Sequence, residues 1–124
     1  MSQSFDRVSD YDAILKTIEI YTHAAETGDS ALMKTAFADD AIMHGFIGAD
    51  FVGGPIQVLF DWAAENAGGK EMKARVASID IIGTAAAARL EVENWVGFNF
   101  TDLFSLLKTD DGWKISSKVY HTHS

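Results

Sequence analysis

Cysteine is absent from the 124 residues, and its absence removes disulfides, thiolate nucleophiles and cysteine-based zinc sites together. Basic residues are few, 10 against 18 acidic ones, for a formal charge of -8. They are scattered rather than bunched, so nucleic acid and anionic membrane are poor partners: phosphate binding needs a local basic field. No apolar run approaches the roughly 20 residues that span a bilayer. The N-terminal stretch, Met-Ser-Gln-Ser-Phe-Asp-Arg-Val-Ser-Asp, has no apolar signal core, and a cytoplasmic protein is expected. No serine stands in a Gly-x-Ser-x-Gly turn, and Gly53-Gly54 and Gly68-Gly69 punctuate helices rather than cradle phosphate.

What remains is a chain with 48% hydrophobic and 11% aromatic residues, enough to bury one core. Its length suits a single domain over residues 1–124. The clearest pattern lies near the C-terminus, where two alternating runs flank Thr109-Asp110-Asp111-Gly112. That spacing predicts a hairpin, with the glycine at positive φ. Strand alternation sets Phe98, Phe100, Asp102, Phe104 and Leu106 on one side. It sets Trp113, Ile115, Ser117, Val119 and His121 on one side of the next strand. A carboxylate and a histidine at the parity of large apolar residues cost free energy unless they are paired or face a cavity.

Upstream, Ser9 or Asp10 is expected to cap a helix whose inward stripe is Ile14, Ile18, Tyr21 and Ala25, ended by Gly28. Asp29 or Ser30 caps a shorter helix with Leu32, Met33, Ala36 and Phe37 inward. A strand follows over Ala41 to Ile47, with Ile42, His44 and Phe46 on one face. Gly48 to Gly54 is expected as loop. Pro55 suits the first turn of a third helix from about Ile56 to Asn66, burying Leu59, Phe60 and Ala63. Strands at Lys73 to Ile82 and Ala85 to Val96, turning at Gly83-Thr84, lead into the final hairpin. Helices segregated to one face of an antiparallel sheet make an α+β domain, here a curved sheet closed over three N-terminal helices as a cone with one open end.

This pattern resembles the nuclear transport factor 2-like superfamily, and within it the SnoaL-like and lumazine-binding group, with its cystatin-like fold. The resemblance is carried by Ile20-Tyr21-Thr22-His23-Ala24-Ala25-Glu26-Thr27-Gly28-Asp29, by Phe37-Ala38-Asp39-Asp40-Ala41, and by Phe100 to Lys108. Gly112-Trp113-Lys114-Ile115 and Lys118-Val119-Tyr120-His121 add to it. It implies a pocket between the helices and the concave sheet face, and a homodimer built through the sheet. The chain is also similar to ketosteroid isomerase, which implies that Tyr21 and Asp102 form an oxyanion-binding pair. The general base of that enzyme would fall at Gly45, which has no side chain, and His44 beside it points the other way.

Candidate catalytic residues are therefore Tyr21, Asp102, His44 and His121. The first two would polarise an oxygen, and the histidines have the right chemistry for a base near neutral pH. Tyr21, His44, Phe46, Trp62, Asp102 and His121 are the candidate ligand contacts, Trp62 as a cap on the pocket mouth. Each has a plainer role available: core aromatic, structural carboxylate or partly buried histidine. Arg89, Glu91 and Glu93 suit cross-strand ion pairs on a solvated or interfacial face, and Trp95 and Trp113 suit sheet packing. The only histidines, His23, His44, His121 and His123, form no dense ligand motif, so neither a metal nor a cofactor is expected. Three functions fit: a binding protein for a small, flat, mostly apolar ligand, an isomerase or dehydratase acting on a carbonyl compound, or a protein-interaction module.

Overall fold

The computed structural model describes residues 7–124; residues 1–6, part of the stretch read for a signal core, lie outside the described residues. The N-terminal helix α1 runs Arg7–Thr27 and buries Ile14, Ile18, Tyr21 and Ala25 as its spacing predicts. Ser9 and Asp10 sit inside its first turns rather than capping it. Asp10 instead accepts a hydrogen bond from Trp113 Nε1 at 3.1 Å and pairs with Lys108 Nζ at 2.8 Å. Those donors, Lys108 foremost, hold its carboxyl below the usual carboxylate range. The start of the helix is thus tied to the final hairpin. Gly28, at φ 74, ends α1, and Asp29 caps α2 (Ser30–Lys34) by accepting from Leu32 N at 3.0 Å.

Strand β1 spans Phe37–Ile47, longer than the predicted run. The expected Gly48–Gly54 loop carries β2 (Asp50–Phe51) and the start of β3 (Gly54–Pro55), both pairing back onto β1. Pro55 therefore lies in a strand, and Ile56 is the residue before α3 (Gln57–Glu65). Leu59, Phe60 and Ala63 are the buried side of α3. Then come β4 (Lys73–Ile82), β5 (Ala85–Trp95), β6 (Phe98–Thr109) and β7 (Gly112–His123), an antiparallel meander. Strand β1 joins it in parallel beside β7, so the sheet order is β2-β1-β7-β6-β5-β4 with β3 also on β1. Among the described residues the result is an α+β fold of three helices on one face of a curved, mixed, seven-stranded sheet.

One irregularity decides which side chains face the helices. Leu106 pairs with Ile115 but Ser105 pairs with Ser117, so Ser116 is an extra residue on β7. Such a β-bulge puts two residues opposite one and reverses the facing of everything beyond it. Trp113 and Ile115 point inward, and after Ser116 the inward residues are Lys118 and Tyr120. Val119 and His121, expected beside Trp113 and Ile115, lie on the outer face.

Strand β1 needs a similar correction. Ala41, Met43 and Gly45 are its buried residues, so Ile42, His44 and Phe46 share the outer face. Gly45 is obligatory there: a Cβ would lie 2.5 Å from Tyr120 Cε1, inside van der Waals contact. The ring of Tyr120 occupies the space that a side chain at residue 45 would need. Strand β6 keeps the predicted parity, with Phe100, Asp102, Phe104 and Leu106 inward.

The turn from β5 to β6 positions Trp95, which is buried and donates from Nε1 to Asn66 O at 2.7 Å. Its two residues, Val96 and Gly97, both have positive φ, 45 and 91. That conformation suits Asn-Gly, whereas a β-branched side chain there is strained by roughly 1–2 kcal/mol. Val96→Asn is expected to raise unfolding stability by about 1 kcal/mol in urea titration; an unchanged or lower midpoint would show that the turn stores no such strain.

Candidate functional site

Three buried polar side chains meet at the centre of the cone, one from each of α1, β6 and β7. Tyr21 is fully buried, Asp102 is 1% exposed and Lys118 is 4% exposed. Tyr21 Oη donates to Asp102 Oδ2 across a long 3.4 Å. Lys118 Nζ faces the other carboxylate oxygen, Oδ1, at 3.9 Å. That separation brings opposite charges together without a hydrogen bond, and Oδ1 is buried with no hydrogen-bond partner. Asp102 is therefore under-satisfied on the side that faces the lysine.

Aromatic rings surround the ammonium: Nζ lies 4.7 Å from the centroid of Tyr120, 5.8 Å from Tyr21 and 5.9 Å from Phe100. Cation–π attraction of about 2 kcal/mol in a dry site competes with a desolvation penalty of several kcal/mol for each ion. Desolvation wins, and it lowers the pKa of Lys118 despite the opposing pull of Asp102. Burial likewise raises the pKa of Asp102, against the smaller effects of Lys118 and the Tyr21 hydrogen bond. The Tyr21 hydroxyl is pushed well above its ordinary value by burial and the neighbouring carboxylate, so it remains a donor. Both members of the pair are thus biased toward their neutral forms.

A cavity adjoins the lysine. Its buried floor includes Met43, Leu59, Trp95, Phe100, Lys118 and Tyr120, and its half-buried rim is Ile47, Val52, Val58 and Trp62. The volume is about 20 Å³, room for one water molecule, or about 340 Å³ with the mouth open to solvent. Tyr120 closes one side by donating from its hydroxyl to Val52 O at 2.7 Å. Among the described residues that line the cavity, Lys118 alone carries a formal charge.

The sequence-predicted residues divide accordingly. Tyr21 and Asp102 come together as expected, but Lys118 stands between them and the cavity, whose walls include neither. Trp62 is at the cavity rim. His44, Phe46 and His121 are exposed on the opposite face of the sheet, for the pleat reasons given above. There His44 stacks on Phe51 at 5.8 Å, and His121 packs edge-on against His123 at 4.8 Å. Neither histidine can serve as a base inside the cone. Arg89 pairs with Glu91 along β5 at 2.6 Å rather than across strands, and Trp95, read as sheet packing, is also a cavity wall. Among the described residues no three His, Asp or Glu side chains converge as a metal site, and no helix is long and apolar enough to cross a membrane.

Residues 9–121 match the family described as "Putative lumazine-binding". The chain belongs to that family, and with it to the nuclear transport factor 2-like superfamily. Among solved structures it is similar to a nuclear transport factor 2-like protein of unknown function from Methylobacillus flagellatus, 41% identical, covering 99% of this chain and 97% of that one, with TM-score 0.89. A counterpart from Shewanella baltica, also of unknown function, is 40% identical over 99% of both chains, with TM-score 0.88. Among curated proteins it is similar to aldolase FrzH of a Cladobotryum species, 34% identical over 116 residues, 93% of each chain.

The lysine–carboxylate pair makes a specific thermodynamic prediction. In Lys118→Met, Asp102 loses its counter-charge, and removal of one member of a buried pair costs about 3 kcal/mol or more. The Asp102 carboxyl, its folded pKa raised above the unfolded value, is protonated at low pH and the penalty is then small. The stability deficit relative to the parent should grow as pH rises through that folded pKa. Adding Asp102→Asn should recover part of the loss at the higher pH. Urea titrations across pH test this; a deficit independent of pH would mean that Asp102 does not depend on the lysine.

Proposed function

We propose that this chain binds a small, flat, mostly apolar carbonyl compound in the cavity between α3 and the sheet, with its oxygen directed at Lys118, and acts on it chemically. The observation that carries this reading is one buried amine at the wall of an otherwise largely apolar cavity. A ligand there gains from apolar contact and must offer an acceptor to the nitrogen, which describes a ketone or aldehyde on a hydrophobic body. Similarity to an aldolase supports the choice of a carbonyl substrate. Isomerase or dehydratase chemistry with a base at residue 45 is disfavoured, since Tyr120 leaves no room for a side chain there. Proton transfer would instead use Asp102 and Lys118, with Tyr21 holding the carboxyl in place. Binding requires the rim, Trp62 above all, to move outward, because the resting cavity holds little more than a water molecule.

The outer face supports a homodimer through the sheet. Phe46, Leu103 and Val119 are 57%, 53% and 48% exposed there, and Leu103 pairs directly with Val119, an apolar patch that a second copy would cover. The narrow cavity favours one other reading, in which the cone is only core and this outer face binds a different protein.

Thermal unfolding with a panel of aromatic ketones and aldehydes separates the readings. A ketone or aldehyde is expected to raise Tm where the hydrocarbon of the same shape does not; equal effects from both, or none from either, would count against a carbonyl-binding site. Sedimentation equilibrium is expected to give twice the 13.5 kDa chain mass, falling to the monomer for Leu103→Arg. A monomeric parent chain would remove the dimer from the account.

A further inference from the structure

We infer that Lys118 is a covalent group: its amine condenses with the carbonyl carbon of the bound ketone or aldehyde to form an imine, with Asp102 relaying the proton. This rests on the carbonyl-binding reading above and adds a bond to it. Three features of the geometry point the same way. The amine is at the cavity wall and almost wholly buried, so a substrate that enters meets it directly. Its charged partner is close but not hydrogen-bonded, at 3.9 Å, so the nitrogen is not tied down as it would be in a structural salt bridge. The oxygen facing it, Asp102 Oδ1, is a buried acceptor with no hydrogen-bond partner, which is where a proton leaving the nitrogen can go. An approach of about 1 Å would bring the two to charge-assisted hydrogen-bond length.

The step balances without a further reagent. Proton transfer from the Lys118 ammonium to Asp102 gives a neutral amine and a carboxylic acid, the direction in which burial already biases both groups. The amine lone pair adds to the carbonyl carbon, and the proton released by nitrogen goes to the former carbonyl oxygen, giving a carbinolamine. The C–O bond then breaks as that oxygen takes the proton of Asp102 and departs as water. The nitrogen lone pair forms C=N, leaving a protonated imine beside the Asp102 carboxylate. One ammonium and one carbonyl have become one iminium and one water. An iminium withdraws electrons from the adjacent C–H bond, so loss of that proton to Asp102 yields an enamine, a carbon nucleophile for an aldehyde. Hydrolysis returns the free lysine.

Tyr21 is a positioning residue here. Its hydroxyl donates to Oδ2 and leaves Oδ1 as the oxygen available to Lys118. Exposed lysines such as Lys16 and Lys34 are not part of the cavity wall.

The test uses the full chain with cyclohexanone as probe, sodium borohydride as reductant and peptide mass spectrometry as readout. Reduction of the imine fixes the ketone on nitrogen as a secondary amine, adding the mass of the ketone less one oxygen. The adduct is expected at Lys118 in excess of all other lysines combined. It should disappear in Lys118→Arg, with circular dichroism confirming that this variant is folded. Omission of borohydride should leave no stable adduct. If cyclohexanone raises Tm yet Lys118 carries no adduct, the covalent step is wrong while the carbonyl-binding reading stands. Failure to raise Tm together with modification spread evenly over exposed lysines would overturn both.

Discussion

An unpaired residue in β7, Ser116, sets the orientation on which the site depends. Because the bulge reverses facing beyond Ile115, Lys118 and Tyr120 turn toward the helices while Val119 and His121 turn away. Tyr120 then requires a glycine at residue 45 on the neighbouring strand and closes one wall of the cavity through Val52. Lys118 is carried into the cone and set against Asp102. Had alternation run unbroken through Ser116, then Ser117, Val119 and His121 would face the helices and the lysine would lie on the outer face.

Burial of the lysine is a large local cost in a chain otherwise well packed around edge-on aromatic contacts, such as Tyr21 with Phe37, Trp95 and Phe104 at 5.6 to 6.1 Å. A structural ion pair in such a place would be expected to close to hydrogen-bond length and satisfy every oxygen. This pair does neither. An energetically unfavourable arrangement held in place by surrounding structure, beside a cavity, is the observation on which the proposed role of Lys118 rests. The tie between Asp10, Trp113 and Lys108 and the capping of α2 by Asp29 contribute the ordinary stability that such an arrangement needs around it.

Much of the fold was legible in the sequence because its signals are periodic. The stripe Ile14, Ile18, Tyr21 and Ala25, the glycine stops at Gly28 and Gly68, and the alternation in β5 and β6 each point to one structure. The meeting of Tyr21 with Asp102 followed from those patterns together with family resemblance. What alternation cannot register is an inserted residue. Two adjacent serines at 116 and 117 carry no hydrophobic mark to show where parity changes, so alternation alone puts His121 on the inward side and gives no sign that Lys118 turns inward. Apolar residues on both faces of β1 posed the same difficulty. Ile42, His44 and Phe46 do share a face, but nothing local distinguishes a helix-facing surface from an outer face that is also apolar. The one available signal was Tyr120, whose bulk and even parity conflict with Val119 and His121 as the inward set.

The central claim is that Lys118 is a buried amine whose environment favours its neutral form, and its titration addresses that directly. Heteronuclear NMR of the lysine side chains across pH, assigned through Lys118→Arg, would follow the Cε and Nζ resonances of this one residue. The account predicts a midpoint for Lys118 below the ordinary lysine value of about 10.4. Titration at or above that value would mean that the ion pair with Asp102 holds the charge in place, and would contradict the account.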